Sequence, residues 1–338
     1  MKPAADLPRQ PDDPRPRLLV LIDVEEEFDW NAPFDRSQRG ASHVPALADC
    51  VGELALRGLR PVGVITHPVL DDPDAVATLR ELVNQGSLLA GAHLHPWVTP
   101  PFDEVVNGRN SFPGNLPAAL EGAKLNTLTE RITEVLGTAP RVYQAGRYGV
   151  GPATIGLLAQ AGYLVDMSLA PPFDYRPEGG PDFTRIGPVP RWSQTSTPIL
   201  SIPTTGALLG RSSTLTGPMY RAATSSLLRP TRLPGLLARA GLAERLRLSP
   251  EGYTLAEMQR LSSALVNRGC RVLTVSFHSP SLVPGYTSYV RNEDDRAAFM
   301  QRLLGFCDWF FDTLGGVPSD ALALRDELLA PPPPSPST

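Results

Sequence analysis

The sequence predicts an α/β fold: a (β/α) barrel, complete or partial, with a doubly wound sheet as the alternative. Three observations lead there. Short apolar runs alternate with amphipathic helical patterns through most of the 338 residues. Repeated strand-then-helix order makes a parallel sheet with helices outside. Ionisable residues gather where the apolar runs stop, the edge at which both folds bind ligands.

In chain order, Arg17–Val24 is the first strand. Val44–Leu56 follows as a helix with Val44, Leu47, Val51 and Leu54 on one face. Pro61–Thr66 is a strand, Asp74–Asn84 a helix and Leu88–His95 a strand. A Pro-rich loop runs from Pro96 to Pro117. Thr127–Leu136 is a helix, Arg141–Ala145 a strand, Pro152–Ala161 a helix stopped by Gly162, and Tyr163–Ser168 a strand. After a break come a helix at Leu255–Asn267, a strand at Arg271–Phe277 and a helix at Asp295–Leu314. The last carries Phe299, Leu303, Phe306, Phe310 and Leu314 on one face.

Three stretches stand outside this alternation. Residues 1–16, rich in Pro, Asp and Arg, are expected to be a disordered leader, and the PPPPSPST stretch of 331–338 a disordered tail. The barrel then occupies 17–330. Residues 206–250 hold seven arginines and one acid, Glu244. They predict a helical basic insertion, either a solvated lid or a surface for an anionic glycan or anionic membrane.

Composition narrows the function. A net charge of −4 and a pI near 5.8 argue against nucleic-acid binding. Three cysteines without CxxC spacing suit a reducing compartment. No apolar run is long enough to span a membrane, and the N-terminus lacks a signal-type apolar core. The expectation is a soluble, cytoplasmic protein. There is no GxSxG, no Walker A and no HExxH motif.

The residues at the strand ends carry the chemistry. Alternation along a strand points Asp23 and Glu25 one way, and Val24 and Glu26 the other. Two carboxylates together beyond a buried strand call for a cation, although Glu25–Glu27 and Asp29 also read as a solvated acidic run. His93 and His95 repeat the period of two. Two imidazoles and one carboxylate are a catalytic zinc set that leaves a position open. Arg147 can orient an acid or form a structural ion pair. His278, directly after an apolar strand, suits general acid–base work near neutral pH. Asp166 can pair with Arg147 or His278 or serve structure alone. Trp97, Tyr148 and Trp192 can stack on a sugar ring or pack the core.

Five segments in order carry a family resemblance: Ile22–Trp30 (IDVEEEFDW), Gly91–Trp97 (GAHLHPW), Ala145–Gly149 (AGRYG), Val165–Ser168 (VDMS) and Phe277–Leu282 (FHSPSL). The chain resembles the polysaccharide deacetylases, the NodB-homology group of carbohydrate esterase family 4, and within it the branch named for WalW, a protein linked to lipopolysaccharide biosynthesis. The resemblance implies a deformed (β/α) barrel and a divalent metal, most often Zn2+. It implies that Asp23 is the catalytic base, that His93 binds the metal, that Arg147 orients Asp23 and that His278 is the general acid. The family has adjacent aspartates where Val24 intervenes here, so Glu25 stands as the metal carboxylate. The family spaces its histidines four apart; Trp97 holds that position here, and His95 takes the role. The function implied is hydrolysis of N-acetyl or O-acetyl groups on a sugar of a cell-envelope polysaccharide or lipopolysaccharide precursor. The alternatives are hydrolysis of a cyclic amide on the same site, a non-catalytic glycan-binding homologue, and a scaffold at an anionic membrane.

Overall fold

The computed structural model describes residues 7–210, 216–223, 237 and 242–329. Its centre is a run of parallel strands: β2 (Arg17–Val24), β3 (Val62–Ile65), β4 (Leu89–Leu94), β5 (Val142–Ala145), β6 (Val165–Asp166), β8 (Leu200–Ser201) and β11 (Val272–His278). They lie in the order β8-β6-β5-β4-β3-β2-β11. Three short strands complete the curled, open sheet: β1 (Leu7–Pro8) and β7 (Arg191–Trp192) extend the β8 edge antiparallel, and β12 (Val317–Pro318) pairs with the start of β2. This is the partial barrel that the β-then-α order predicts.

The strands form where apolar runs are buried on both faces. All eight residues of β2 are buried, as expected of a parallel strand covered on both sides. Val20, Ile22 and Val24 pack with the helices, while Leu19 and Leu21 fill the barrel interior with Val62, Val64, Val142 and Val165. Space there is tight. A Cβ on Gly91 of β4 would come within 2.8 Å of Val64 Cγ1 and 2.9 Å of the Val142 carbonyl, so only glycine lets β3, β4 and β5 approach. Outside lie α1 (Leu47–Ala55), α2 (Pro73–Asn84), α3 (Ala118–Leu136), α4 (Thr154–Gln160), α6 (Leu255–Asn267) and α7 (Glu293–Asp312), with α5 (Thr216–Ala223) in the insertion and α8 (Ala321–Leu329) closing the end of the barrel. Asp72, Thr254 and Asn292 cap α2, α6 and α7 by accepting from first-turn amides.

The structure departs from the sequence expectations in three places. Residues 7–16 are not a loose leader: β1 pairs with β7, and Gln10 bonds Gly269 and Arg271. The helix expected from Thr127 starts at Ala118, directly after Pro117, where the Pro-rich loop ends. The insertion is only partly helical. Its two ends pair as an antiparallel ribbon of β9 (Gly206–Leu209) and β10 (Glu244–Arg247). Arg245 and Arg247 do not face solvent as a basic surface; their guanidiniums lie on the rings of Phe173, Tyr220 and Tyr148. The side chains of the other five arginines, and the 331–338 tail, lie outside the described residues.

The Pro-rich loop after β4 is held from beneath by one buried cation. Lys124 of α3 donates to the carbonyls of Pro96 (2.9 Å), Thr99 (2.6 Å) and Pro101 (2.6 Å) and pairs with Glu104 at 2.8 Å. Removing one member of a buried ion pair leaves the other charge desolvated. Lys124→Met should therefore destabilise the protein by about 3 kcal/mol in urea unfolding; a loss within the scatter of surface substitutions would show that the loop is held by other contacts.

Candidate active site

Strand register brings the ionisable residues together. His278, the last residue of β11, lies opposite Asp23 of β2, and His93 of β4 lies opposite Gln144 of β5. Glu25 and His95 are the residues directly after β2 and β4 end. These groups line a cavity of about 210 Å³ at the carboxyl ends of the strands, walled by Phe28, Trp30, Phe34 and Tyr148.

Glu25, His93 and His95 each offer one ligand atom, and the three atoms lie within 4.8 Å of one another. Glu25 Oε2 is 3.9 Å from His93 Nε2 and 3.6 Å from His95 Nε2. The outward nitrogens are already engaged: His93 Nδ1 meets the Gln144 carbonyl at 3.1 Å and His95 Nδ1 meets Glu26 Oε1 at 2.8 Å. That leaves both Nε2 atoms directed at the same point. A glycine makes the approach possible, since a Cβ on Gly146 would stand 2.6 Å from His95 Cδ2.

The donor set fits a divalent cation. Glu25 Oε1 is buried without a hydrogen-bond partner, a costly state for a carboxylate. Burial pushes the Glu25 carboxyl up to about 8 and Asp23 up to about 6. A cation held by Glu25, His93 and His95 would neutralise this buried group and favour the ionised carboxylates.

Asp23 and His278 form the second half of the site. His278 Nε2 is 3.6 Å from Asp23 Oδ2, and its Nδ1 is 2.8 Å from Glu251 Oε2. Burial alone lowers the imidazole, but Glu251 and Glu25 more than reverse this and hold it at about 10. The ring remains a quarter exposed to the cavity, so it is both protonated and reachable. Gln144, with its amide nitrogen turned to the carboxylate, donates to Asp23 Oδ1 at 2.8 Å.

Four residues that sequence reasoning missed complete the site. Gln144 holds Asp23, Glu251 holds His278 and Glu26 holds His95. Arg247, from the basic insertion, donates to the Tyr148 and Tyr175 hydroxyls at 3.1 and 2.8 Å and acts electrostatically on Asp23. Only Gln144 left a signal, its place in a strand beside the histidine strand.

Other expectations are corrected. Arg147 lines the cavity, but its guanidinium bonds Ser111, the Gly108 carbonyl and Glu178 and stacks on Phe112; Asp23 receives Gln144 instead. Its backbone is left-handed (φ 53°), as is that of Tyr148 (φ 59°). Asp166 accepts from Ser168 and Ser201, while Arg147 and His278 bond elsewhere. Trp97 is buried and stacks on His95 at 4.2 Å, so it packs a site histidine and is closed to a sugar. Trp192 sits in β7 against the barrel core, with Arg325 over its ring. Tyr148 does line the cavity.

No family model and no curated protein matches the chain. Solved structures do. A protein assigned as a polysaccharide deacetylase from Mycobacterium smegmatis is similar with a TM-score of 0.58 at 15% identity, over 97% of this chain and 95% of that one. Puue allantoinase gives 0.54 at 12% identity, over 94% and 91%. A second protein assigned as a polysaccharide deacetylase, from Pseudomonas aeruginosa PAO1, gives 0.50 at 14% identity, over 92% and 90%. The chain thus has the fold of the polysaccharide deacetylase structures, the fold expected from its sequence, along nearly its whole length.

The raised carboxyls and the raised imidazole have one consequence for stability. Asp23, Glu25 and His278 each hold protons more tightly folded than unfolded, so metal-free protein should lose stability as pH rises through the range from about 4 to about 10. Urea midpoints in chelator at pH 5.5, 7 and 9 should fall in that order, less steeply for Glu25→Gln. An equal slope for both proteins would contradict a raised carboxyl at Glu25.

Proposed function

We propose that the chain is a metal-dependent hydrolase that removes acetyl groups from the nitrogen of a carbohydrate. The observation that carries this reading is the convergence of Glu25, His93 and His95 on one point beside the Asp23–His278 pair. One carboxylate and two imidazoles are a catalytic zinc set, which makes Zn2+ the proposed ion. Bound there, a divalent cation polarises an amide carbonyl and acidifies water.

The protein's own groups supply the proton movements. Asp23, oriented by Gln144, takes a proton from the attacking water. His278, charged and held by Glu251, gives a proton to the departing amine, which leaves poorly without one. Tyr148, Phe28, Trp30 and Phe34 exclude solvent and present apolar surface to a sugar ring and its acetyl methyl. Arg147, which lines the cavity, would meet the substrate while Gln144 orients the base.

The sequence resemblance favours a sugar of a cell-envelope polysaccharide or lipopolysaccharide precursor, carrying an N-acetyl or an O-acetyl group. No helix among the described residues is long and apolar enough to cross a membrane. A second reading, hydrolysis of a cyclic amide, is supported by the likeness to Puue allantoinase and by the small cavity, which suits a compact substrate.

One assay decides between them. Protein reconstituted with zinc should release acetate from N-acetylated sugars, with Asp23→Asn inactive and His278→Ala reduced by roughly 10²–10⁴. Ring opening of allantoin or hydantoins without acetate release would favour the second reading. Neither activity with any of zinc, cobalt, nickel or manganese would defeat both.

A further inference from the structure

Resting on the metal reading above, the geometry points to Glu26 as a positioning residue that fixes which nitrogen of His95 faces the metal and strengthens it as a donor. Strict strand alternation would send Glu26 away from the site. The strand ends at Val24, however, and Glu26 then turns beneath His95 instead of into solvent. Its side chain is fully buried. Oε1 lies 2.8 Å from His95 Nδ1, while Oε2 has no partner of its own. His95 is thus gripped between two carboxylates, Glu26 at Nδ1 and Glu25 at Nε2 (3.6 Å).

The ring has little freedom to turn. Trp97 stacks on one face at 4.2 Å, and Phe28 meets it edge-on at 5.8 Å. Flipping the imidazole would break the bond to Glu26 and leave that carboxylate buried with neither oxygen paired. The ring therefore keeps its Nδ1 proton toward Glu26 and presents a bare Nε2 to a cation. His93 is held differently, by the neutral carbonyl of Gln144 at 3.1 Å. A carboxylate raises the donor strength of an imidazole more than a carbonyl does. The two ligands are unequal, with His95 the stronger. Glu26 stands behind the ring, too far round to be a ligand itself.

The test uses the full chain and two readouts that need no turnover. Zinc affinity is measured by competition with a chromophoric chelator, and the visible absorption of the cobalt-loaded protein reports ligand geometry. Glu26→Gln keeps the volume and an acceptor oxygen but loses the charge. It should bind zinc 10–100-fold more weakly and shift the cobalt bands, while Glu25→Gln should lose binding altogether. Wild-type affinity and an unchanged cobalt spectrum in Glu26→Gln would overturn the role of Glu26 and leave the metal site standing. A wild-type protein that binds no zinc would defeat the metal reading itself. If Glu26→Gln does not fold, nitrogen NMR of zinc-loaded wild type decides: His95 should carry its proton on Nδ1, and a proton on Nε2 would overturn the inference.

Discussion

Charge balance at the buried end of the sheet is the constraint on which the rest depends. Four carboxylates (Asp23, Glu25, Glu26 and Glu251) are buried within reach of three imidazoles. Burial and the neighbouring His95 hold His93 well below its usual range, so that ring is neutral. The imidazoles alone therefore leave an excess of negative charge, which adds to the burial that raises the Asp23 and Glu25 carboxyls. In the proposed metal-bound state, with both ligand imidazoles neutral, a dication, the His278 imidazolium and the Arg247 guanidinium would balance the four carboxylates. A cation bound among them, as proposed, would offset the cost of burying so many acids.

That constraint explains the acidic run after the first strand. Read from sequence, Glu25-Glu26-Glu27 also fits a solvated loop. In the structure each carboxylate addresses a histidine. Glu25 faces the Nε2 atoms of His93 and His95, Glu26 grips His95 from behind, and Glu27 meets His43 at 3.1 Å. His43 in turn bonds Ser279 at 2.8 Å, next to His278. The run thus ties the loops after β2 and β11 together, fixing Glu25 and His278 relative to each other.

Much of this was legible from the sequence, and the legible part has a common cause. The parallel strands could be read because burial on both faces forces continuous apolar runs, as in Arg17–Val24 and Val272–His278. Asp23, Glu25, His93, His95 and His278 could be read because strand ends in such a sheet share one edge. What could not be read depends on chain direction after regular structure stops. Glu26 leaves the alternation one residue beyond Val24. Arg147 and Tyr148 are consecutive left-handed residues. Glu251 lies in a loop with no periodic signal, and Arg247 arrives on a ribbon strand inside a segment whose arginine content suggested a solvated helix. The burial of Trp97 followed from its stacking on His95, a contact that spacing alone does not reveal.

The most direct test of the central claim is zinc-edge X-ray absorption on zinc-loaded protein, with metal content measured on the same sample. The account predicts one zinc per chain in a low-coordinate site with two imidazole nitrogens and oxygen ligands, lost in Glu25→Gln. Absence of stoichiometric zinc, or an all-oxygen shell without imidazole scattering, would contradict it.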